Sequence, residues 1–270
     1  MMKPMQKPSV IILCGGMGSR LQEETEFRPK PMLEIGSRPI LWHIMKLYAA
    51  YGFNHFLLCL GYKGHMVKEF FLNYRTYQSD LTVHLGSSQQ VEYHTNHTDQ
   101  ENWKVTLVET GLNAQTGARV AKAARYVTGD NFCLTYGDGL GNVNLSDLLA
   151  FHQRHGKIGT VTGVRPPGRF GELEVDNRGT ATQFNEKPQT AGGMINGGFF
   201  IFKRSFFEKY LAERDDLVLE AEPLQRLARD RELAVYPHNG FWQPMDTYRE
   251  FKLLNDLWNS GKAPWKVWKE

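Results

Sequence analysis

Short apolar runs punctuate the first half of the chain. Val10–Leu13, Phe56–Leu60 and Asn131–Tyr136 each have the length of a buried strand, and each runs into a glycine-bearing turn. Between them, Ile40–Tyr51 carries apolar residues at helical spacing, opening after Pro39 and stopping at Gly52. Met66–Tyr77 repeats that spacing, and so does Ala118–Val127 after a loop that contains Gly117. Strand, loop and helix recurring in this order predict βαβ units. The expected class is α/β, with a Rossmann-like, mostly parallel central sheet flanked by helices. Residues 78–110 break the rhythm. LTVHLG (81–86), QVEYHT (90–95) and WKVTLVET (103–110) alternate apolar and polar residues as half-buried strands do, which predicts an antiparallel excursion. His84, His94 and His97 fall in this stretch, and a His-x-x-His pair in a polar turn reads as solvated loop rather than a metal site.

The second half is less regular. Leu145–His155 is predicted as a helix capped by Asn144 or Ser146, followed by a strand over Lys157–Val164. A Pro-Pro-Gly-Arg-Phe-Gly turn at 166–171 leads to Leu173–Val175 and a hairpin turn at Asp176–Gly179. Beyond the apolar run Phe199–Phe202, helices are expected over 205–213 and 220–230, a short strand at Ala234–Tyr236, and a last helix over 247–260. No repeat, low-complexity stretch or linker interrupts the chain. It reads as an N-terminal tail, 1–9, and one compact domain of two lobes, 10–270.

Composition narrows the class. With 270 residues and 41% hydrophobic content the chain has enough apolar material for a sizeable core. A net charge of +3, with the charges interspersed, argues against nucleic acid as a partner. No apolar run approaches the roughly 20 residues of a membrane span, and the N-terminus lacks the apolar segment of a signal peptide. Cys14, Cys59 and Cys133 are odd in number and widely spaced. That pattern points to buried free thiols in a reducing cytoplasm rather than disulfides or zinc. The Asn96 and Asn144 sequons then carry no weight.

The candidate chemistry starts after the first strand. Gly15-Gly16-Met17-Gly18-Ser19-Arg20 is a glycine-rich turn ending in a guanidinium, and Lys30 follows between Pro29 and Pro31. Successive backbone N–H groups with little side chain around them form an anion nest, and two cations complete the equipment for gripping a nucleoside triphosphate. The turn is not a Walker P-loop, since no Gly-Lys-Ser/Thr follows, and it lacks the third glycine of a dinucleotide fingerprint. Asp138, between Gly137 and Gly139 at the end of a predicted strand, is placed to face the ligand crevice of an open α/β sheet.

Six segments occurring in one order resemble the sugar-1-phosphate nucleotidylyltransferases: Gly15–Leu21, Pro29–Met32, Tyr136–Gly139, Glu186–Pro188, Ile195–Phe200 and Trp242–Thr247. Ile40–Met45, Pro166–Gly171 and Gly261–Lys266 make the chain most similar, within that superfamily, to the glucose-1-phosphate cytidylyltransferases. The resemblance implies a nucleotidyltransferase fold with a nucleotide lobe over about 10–165 and a sugar-phosphate lobe over about 166–270. It implies CTP and glucose 1-phosphate as substrates, CDP-glucose and pyrophosphate as products, Mg²⁺ as cofactor and a homo-oligomer, for which residues 78–110 are the candidate interface. The same chemistry on dTTP, UTP or another sugar 1-phosphate is the near alternative. A nucleotide or sugar-phosphate sensor without activity is the remote one.

Site roles follow from the same resemblance. Arg20 is expected to stabilise the departing β- and γ-phosphates, and Lys30 to neutralise the α-phosphate. Asp138 and Asp246 are expected to hold Mg²⁺ jointly. Leu13, Gly15, Gly16, Gly18, Ser19 and Gly137 are expected to cradle the nucleotide, with Arg119 on the base or ribose side. Lys187 is expected on the sugar phosphate, and Gly171, Glu186 and Asn196 on the sugar. Cys14, Ser19, Ala118, Glu172 and Leu219 depart from the family pattern, the last two in the lobe that would choose the sugar.

Overall fold

The computed structural model describes residues 7–18, 21, 25–86, 90–94, 101–165, 172–175, 180–185 and 193–269. Its centre is one sheet built on four short, fully or largely buried strands: β1 (Ser9–Leu13), β4 (His55–Leu60), β8 (Asn131–Tyr136) and β10 (Gly159–Val164). A miniature hairpin of β2 (Glu34–Ile35) and β3 (Arg38–Pro39) precedes the first of the helices, α1 (Ile40–Ala50). Next come α2 (Gly64–Leu72), β5 (Asp80–His84), β6 (Gln90–His94) and β7 (Lys104–Glu109). The chain continues through α3 (Thr116–Ala123), β9 (Gly139–Gly141) and α4 (Leu145–His155). The C-terminal part holds β11 (Glu172–Val175), β12 (Ala181–Asn185), β13 (Ile195–Asn196), β14 (Phe200–Lys203), α5 (Ser205–Tyr210), α6 (Glu222–Arg229), β15 (Leu233–His238), β16 (Trp242–Pro244) and α7 (Tyr248–Asn259).

β1 lies between β4 and β8 and is parallel to both, and β7 extends the sheet parallel to β4. Successive strands therefore run outward from β1 to β7, and the chain then returns to β8 on the other side of β1. That reversal is the topological switch point at which open α/β sheets bind ligands. On the far side, β13 and β14 both pair antiparallel with β10, and β14 pairs antiparallel with β8, whereas β15 is parallel to β10. β13 and β14 are thus one strand interrupted at Gly197–Phe199, where Gly198 and Phe199 take positive φ values of 73° and 46°. Alternate strand residues face two separate cores. Val10, Ile12 and Leu58 pack towards α1, while Ile11, Leu57, Phe132 and Phe202 pack towards α3 and α5.

The class and most of the elements agree with the sequence pattern, with one correction. WKVTLVET does not belong to the antiparallel excursion. Its alternation comes from an edge position, where β7 pairs with β4 alone among the described strands and is half-exposed along much of its length. The excursion is the β5–β6 hairpin alone. His84 pairs with Glu92 there, and His94 meets the Thr82 hydroxyl, so both are cross-strand partners. Among the described residues no group of three or more metal-ligating side chains occurs, and His97 lies outside them. Asn144 caps α4, accepting from the N–H groups of Ser146 and Asp147, as expected. All three thiols are free and buried. No described helix is long and apolar enough to cross a membrane.

Candidate active site

The C-terminal ends of β1 and β8 open into a cleft of about 380 Å³. Three expected site elements reach it from different parts of the chain. The loop after β1 contributes Gly15, Gly16 and Gly18, the turn after β8 contributes Gly137 and Asp138, and the segment after β16 contributes Asp246. Local hydrogen bonds hold the end of β1 against both neighbours: Gly137 N–H, after β8, donates to Leu13 O, and Cys14 N–H donates to Cys59 O of β4. A Cβ on Gly137 would lie 2.6 Å from Leu13 O, so only glycine lets the two strand ends approach this closely. Gly16 has open space around it. Among the described residues, the N–H groups of Gly15, Gly16, Met17 and Gly18 find no backbone acceptor. A turn whose N–H groups meet no backbone acceptor among the described residues, with open space at Gly16, suits anionic oxygens.

Lys30 sits at the start of a single 3-10 turn, Lys30–Met32, whose neighbours Pro29 and Pro31 restrict the backbone. Its ammonium donates to Asp138 Oδ2 at 2.7 Å and to Asp246 Oδ1 at 2.6 Å, bridging partners 108 and 216 residues away. Burial pulls the Lys30 pKa down, but the two carboxylates outweigh it and hold the ammonium above its usual range. The resemblance gives these residues separate expected roles, a phosphate-binding lysine and a metal-binding pair. In the structure all three meet at one point.

Asp246 reaches that point because β16 pairs with β9 and Met245 N–H donates to Asp138 O. The α7 cap is formed by Thr247, in a capping box with Glu250, whose carboxylate also accepts from the Asp246 N–H at 2.7 Å. The helix terminus is therefore capped by Thr247 and Glu250, and the Asp246 carboxylate meets Lys30 at the cleft.

Arg119, expected on the base or ribose side, lies in α3, borders the cleft beside the glycine loop and is 5% exposed. Its Nη1 donates to Leu60 O, Thr110 Oγ1 and Gly111 O, and its Nη2 to Gly15 O and Leu112 O. The guanidinium occupies the space a Cβ on Gly15 would need, 2.1 Å from it. Its geometry ties the loop after β1 to the ends of β4 and β7. Leu13 and Cys14 also border the cleft, and burial pushes the Cys14 thiol up, away from thiolate chemistry.

Asn196 lies on β13, and its carboxamide is held on both sides: Nδ2 donates to Tyr136 Oη at 3.1 Å, and Oδ1 accepts from Gly198 N–H at 2.9 Å. Tyr136 borders the cleft beside Asp138 and is a residue sequence reasoning missed, although it directly precedes the Gly-Asp-Gly turn. Of the departures from the family pattern, Leu219 is buried and Ala118 packs against Leu217, so neither borders the cleft. Ser19, Arg20, Gly171, Glu186 and Lys187 lie outside the described residues.

Known proteins resemble this chain over most of its length. The nucleotidyl transferase family model matches residues 9–247. The glucose-1-phosphate cytidylyltransferase of Salmonella typhimurium is 48% identical over 259 residues, which is 96% of this chain and 98% of that protein. The probable glucose-1-phosphate cytidylyltransferase of Bacillus subtilis is 46% identical over 258 residues, 96% of this chain and 99% of that protein. Among solved structures, HddC from Yersinia pseudotuberculosis complexed with GMP-PN aligns over 93% of this chain and 100% of its own, with a TM-score of 0.65 and 18% identity, a likeness of fold.

Proposed function

The chain belongs to the nucleotidyl transferase family, and we propose that it transfers the cytidylyl group of CTP to α-D-glucose 1-phosphate, giving CDP-glucose and pyrophosphate. The observation that carries the chemistry is the convergence of Lys30, Asp138 and Asp246 beside a glycine turn whose N–H groups meet no backbone acceptor among the described residues. The choice of CTP and glucose rests on the two relatives that match nearly end to end.

In the proposed reaction a phosphate oxygen of the sugar phosphate attacks the α-phosphorus of CTP. The new P–O bond forms as the bond from the α-phosphorus to the bridging oxygen of pyrophosphate breaks. The nucleophile is already an anion, so no general base is called for. The task is to bring two polyanions together and to stabilise the leaving charge, which is work for positioning and electrostatics. In this reading Gly15, Gly16 and Gly18 take the triphosphate on their backbone, Lys30 neutralises the α-phosphate, and Arg20 meets the leaving phosphates. Lys187 holds the incoming phosphate, and Gly171, Glu186 and Asn196 hold the sugar.

Asp138 and Asp246 suit a divalent cation: they are hard oxygen donors that already converge on one positive charge. Two protein ligands are what Mg²⁺ takes where phosphates and water complete its shell. When bound, Mg²⁺ would neutralise phosphate charge. A homo-oligomer is supported by the β5–β6 hairpin, which exposes Val83, Leu85 and Val91 away from both cores. A cytoplasmic site is supported by the free thiols.

The test is a matrix of four nucleoside triphosphates against several sugar 1-phosphates, read as pyrophosphate release with Mg²⁺ present. Release is expected to be fastest with CTP and glucose 1-phosphate. No release with any pair would overturn the assignment.

A further inference from the structure

One carboxylate beside the cleft has no part in the proposed reaction. Glu220, in the loop before α6, accepts from the Tyr136 hydroxyl at 2.6 Å through Oε1 and from the Thr116 hydroxyl at 2.7 Å through Oε2. The loop that carries it is pinned to the first turn of α3. Gln115 N–H donates to Asp215 O, Gly117 and Ala118 N–H donate to Leu217 O, and Leu219 N–H donates to Thr116 Oγ1. Glu220 is therefore held by backbone and does not wander.

A carboxylate can only accept, so it sets the direction of every hydrogen bond attached to it. The Tyr136 hydroxyl has one proton, and that proton goes to Glu220. Towards Asn196 the phenol oxygen can then only accept, so Asn196 must present Nδ2 to it, and Oδ1 is left for Gly198 N–H. The amide of Asn196 has two N–H donors. One is spent on Tyr136, and the other is aimed by the same constraint.

We propose that Glu220 is a positioning residue for the sugar 1-phosphate: through Tyr136 it fixes the orientation of the Asn196 carboxamide, which presents its remaining N–H to an acceptor oxygen of the hexose. If the acid is removed, Tyr136 is able to donate to Asn196 instead. The carboxamide can then turn over, and the sugar meets an acceptor where it needs a donor. The network also spans the two halves of the site, since Thr116 borders the cleft at the start of α3 while Asn196 lies on β13. The inference rests on the proposed reaction.

The decisive variant is Glu220→Gln, which keeps the shape but can donate as well as accept. Steady-state kinetics on the full chain, with CTP and glucose 1-phosphate varied in turn, are expected to show a five- to tenfold rise in the KM for the sugar phosphate, the scale of one hydrogen bond. The KM for CTP should stay within twofold. Tyr136→Phe should raise the same KM, and the double variant should be no worse than the more affected single one, since both break one chain. An unchanged sugar-phosphate KM in Glu220→Gln, an equal rise in both KM values, or multiplying effects in the double variant would overturn the proposal. Should Glu220→Gln fail to fold, an unchanged KM in Tyr136→Phe would do so alone. A wild-type protein without pyrophosphate release refutes the reaction itself, and the two failures are told apart by the wild-type control.

Discussion

Replacing Arg119 by lysine keeps the charge and removes the fork. The guanidinium makes five hydrogen bonds, to Leu60 O, Thr110 Oγ1, Gly111 O, Gly15 O and Leu112 O. An ammonium carries three donors on one atom, so it cannot serve acceptors spread along both edges of a planar group. The loss is smaller than five full bonds. Leu60 O still accepts from the Thr110 N–H, and Gly15 O from the Tyr62 N–H. Neither carbonyl is left buried without a partner. At about 1 kcal/mol for each bond lost, and with two or three lost outright, Arg119→Lys should destabilise the fold by about 2–3 kcal/mol. For a chain of this length that lowers the melting midpoint by roughly 5–10 °C.

Without Nη2 the Gly15 carbonyl keeps only its bond from the Tyr62 N–H, and the glycine turn beside the cleft is held less firmly, so the KM for CTP should rise about tenfold, with a smaller change in kcat. Thermal melting and CTP-dependent kinetics, measured on the same preparation, check both halves. A raised KM with an unchanged midpoint would mean that Arg119 meets the nucleotide directly and that its place as an internal tie is wrong.

Asp246→Asn should leave the melting midpoint within about 2 °C, because Thr247 and Glu250 cap α7 without it, while kcat falls at least about 100-fold; wild-type turnover would remove Asp246 from the site. Acid should destabilise the protein through two buried histidines. Burial lowers both His43 and His152 to about 4 from an ordinary 6.5. A depressed histidine pKa means the unfolded chain binds the extra proton first, so stability is complete above pH 6.5 and is lost as pH falls from there towards 4. Each site contributes on the order of 3 kcal/mol. Denaturant midpoints that stay flat between pH 7 and pH 5 would refute this. Light scattering should report an assembly larger than one chain, and the paired change Val83→Asp with Leu85→Asp should dissociate it; a monomeric wild type would reject the hairpin as an interface.

The strands that carry the site were legible because each is a short, largely apolar run that leads into a glycine-bearing turn. β1 and β8 follow that rule, and so does the Gly-Asp-Gly turn that brings Asp138 to the cleft. β7 was misread because an edge strand of a parallel sheet shows the same alternation as a hairpin strand, and periodicity does not record which neighbour a strand has. The individual residues Lys30, Asp138 and Asp246 were legible, yet their mutual contact was not, since nothing local in the sequence announces a bond across 216 residues. Glu220 carried no signal at all. It is an ordinary acid ahead of a helix, and its partners Tyr136 and Thr116 are set against it only by the docking of one loop on the start of α3.

The pairing of β16 with β9 has a temporal consequence. As the chain is synthesised, β1, its glycine turn, Lys30 and β8 all emerge before the Asp246 segment does. Until Trp242–Pro244 lies down beside Gly139–Gly141, a nascent chain holds a cradle and a single carboxylate. Loops of this span close slowly, because their entropy must be overcome before the contact returns anything. Competence in the proposed reaction would then wait on one late pairing, and a chain that stops before residue 246 lacks one of the two carboxylates that the reaction calls for.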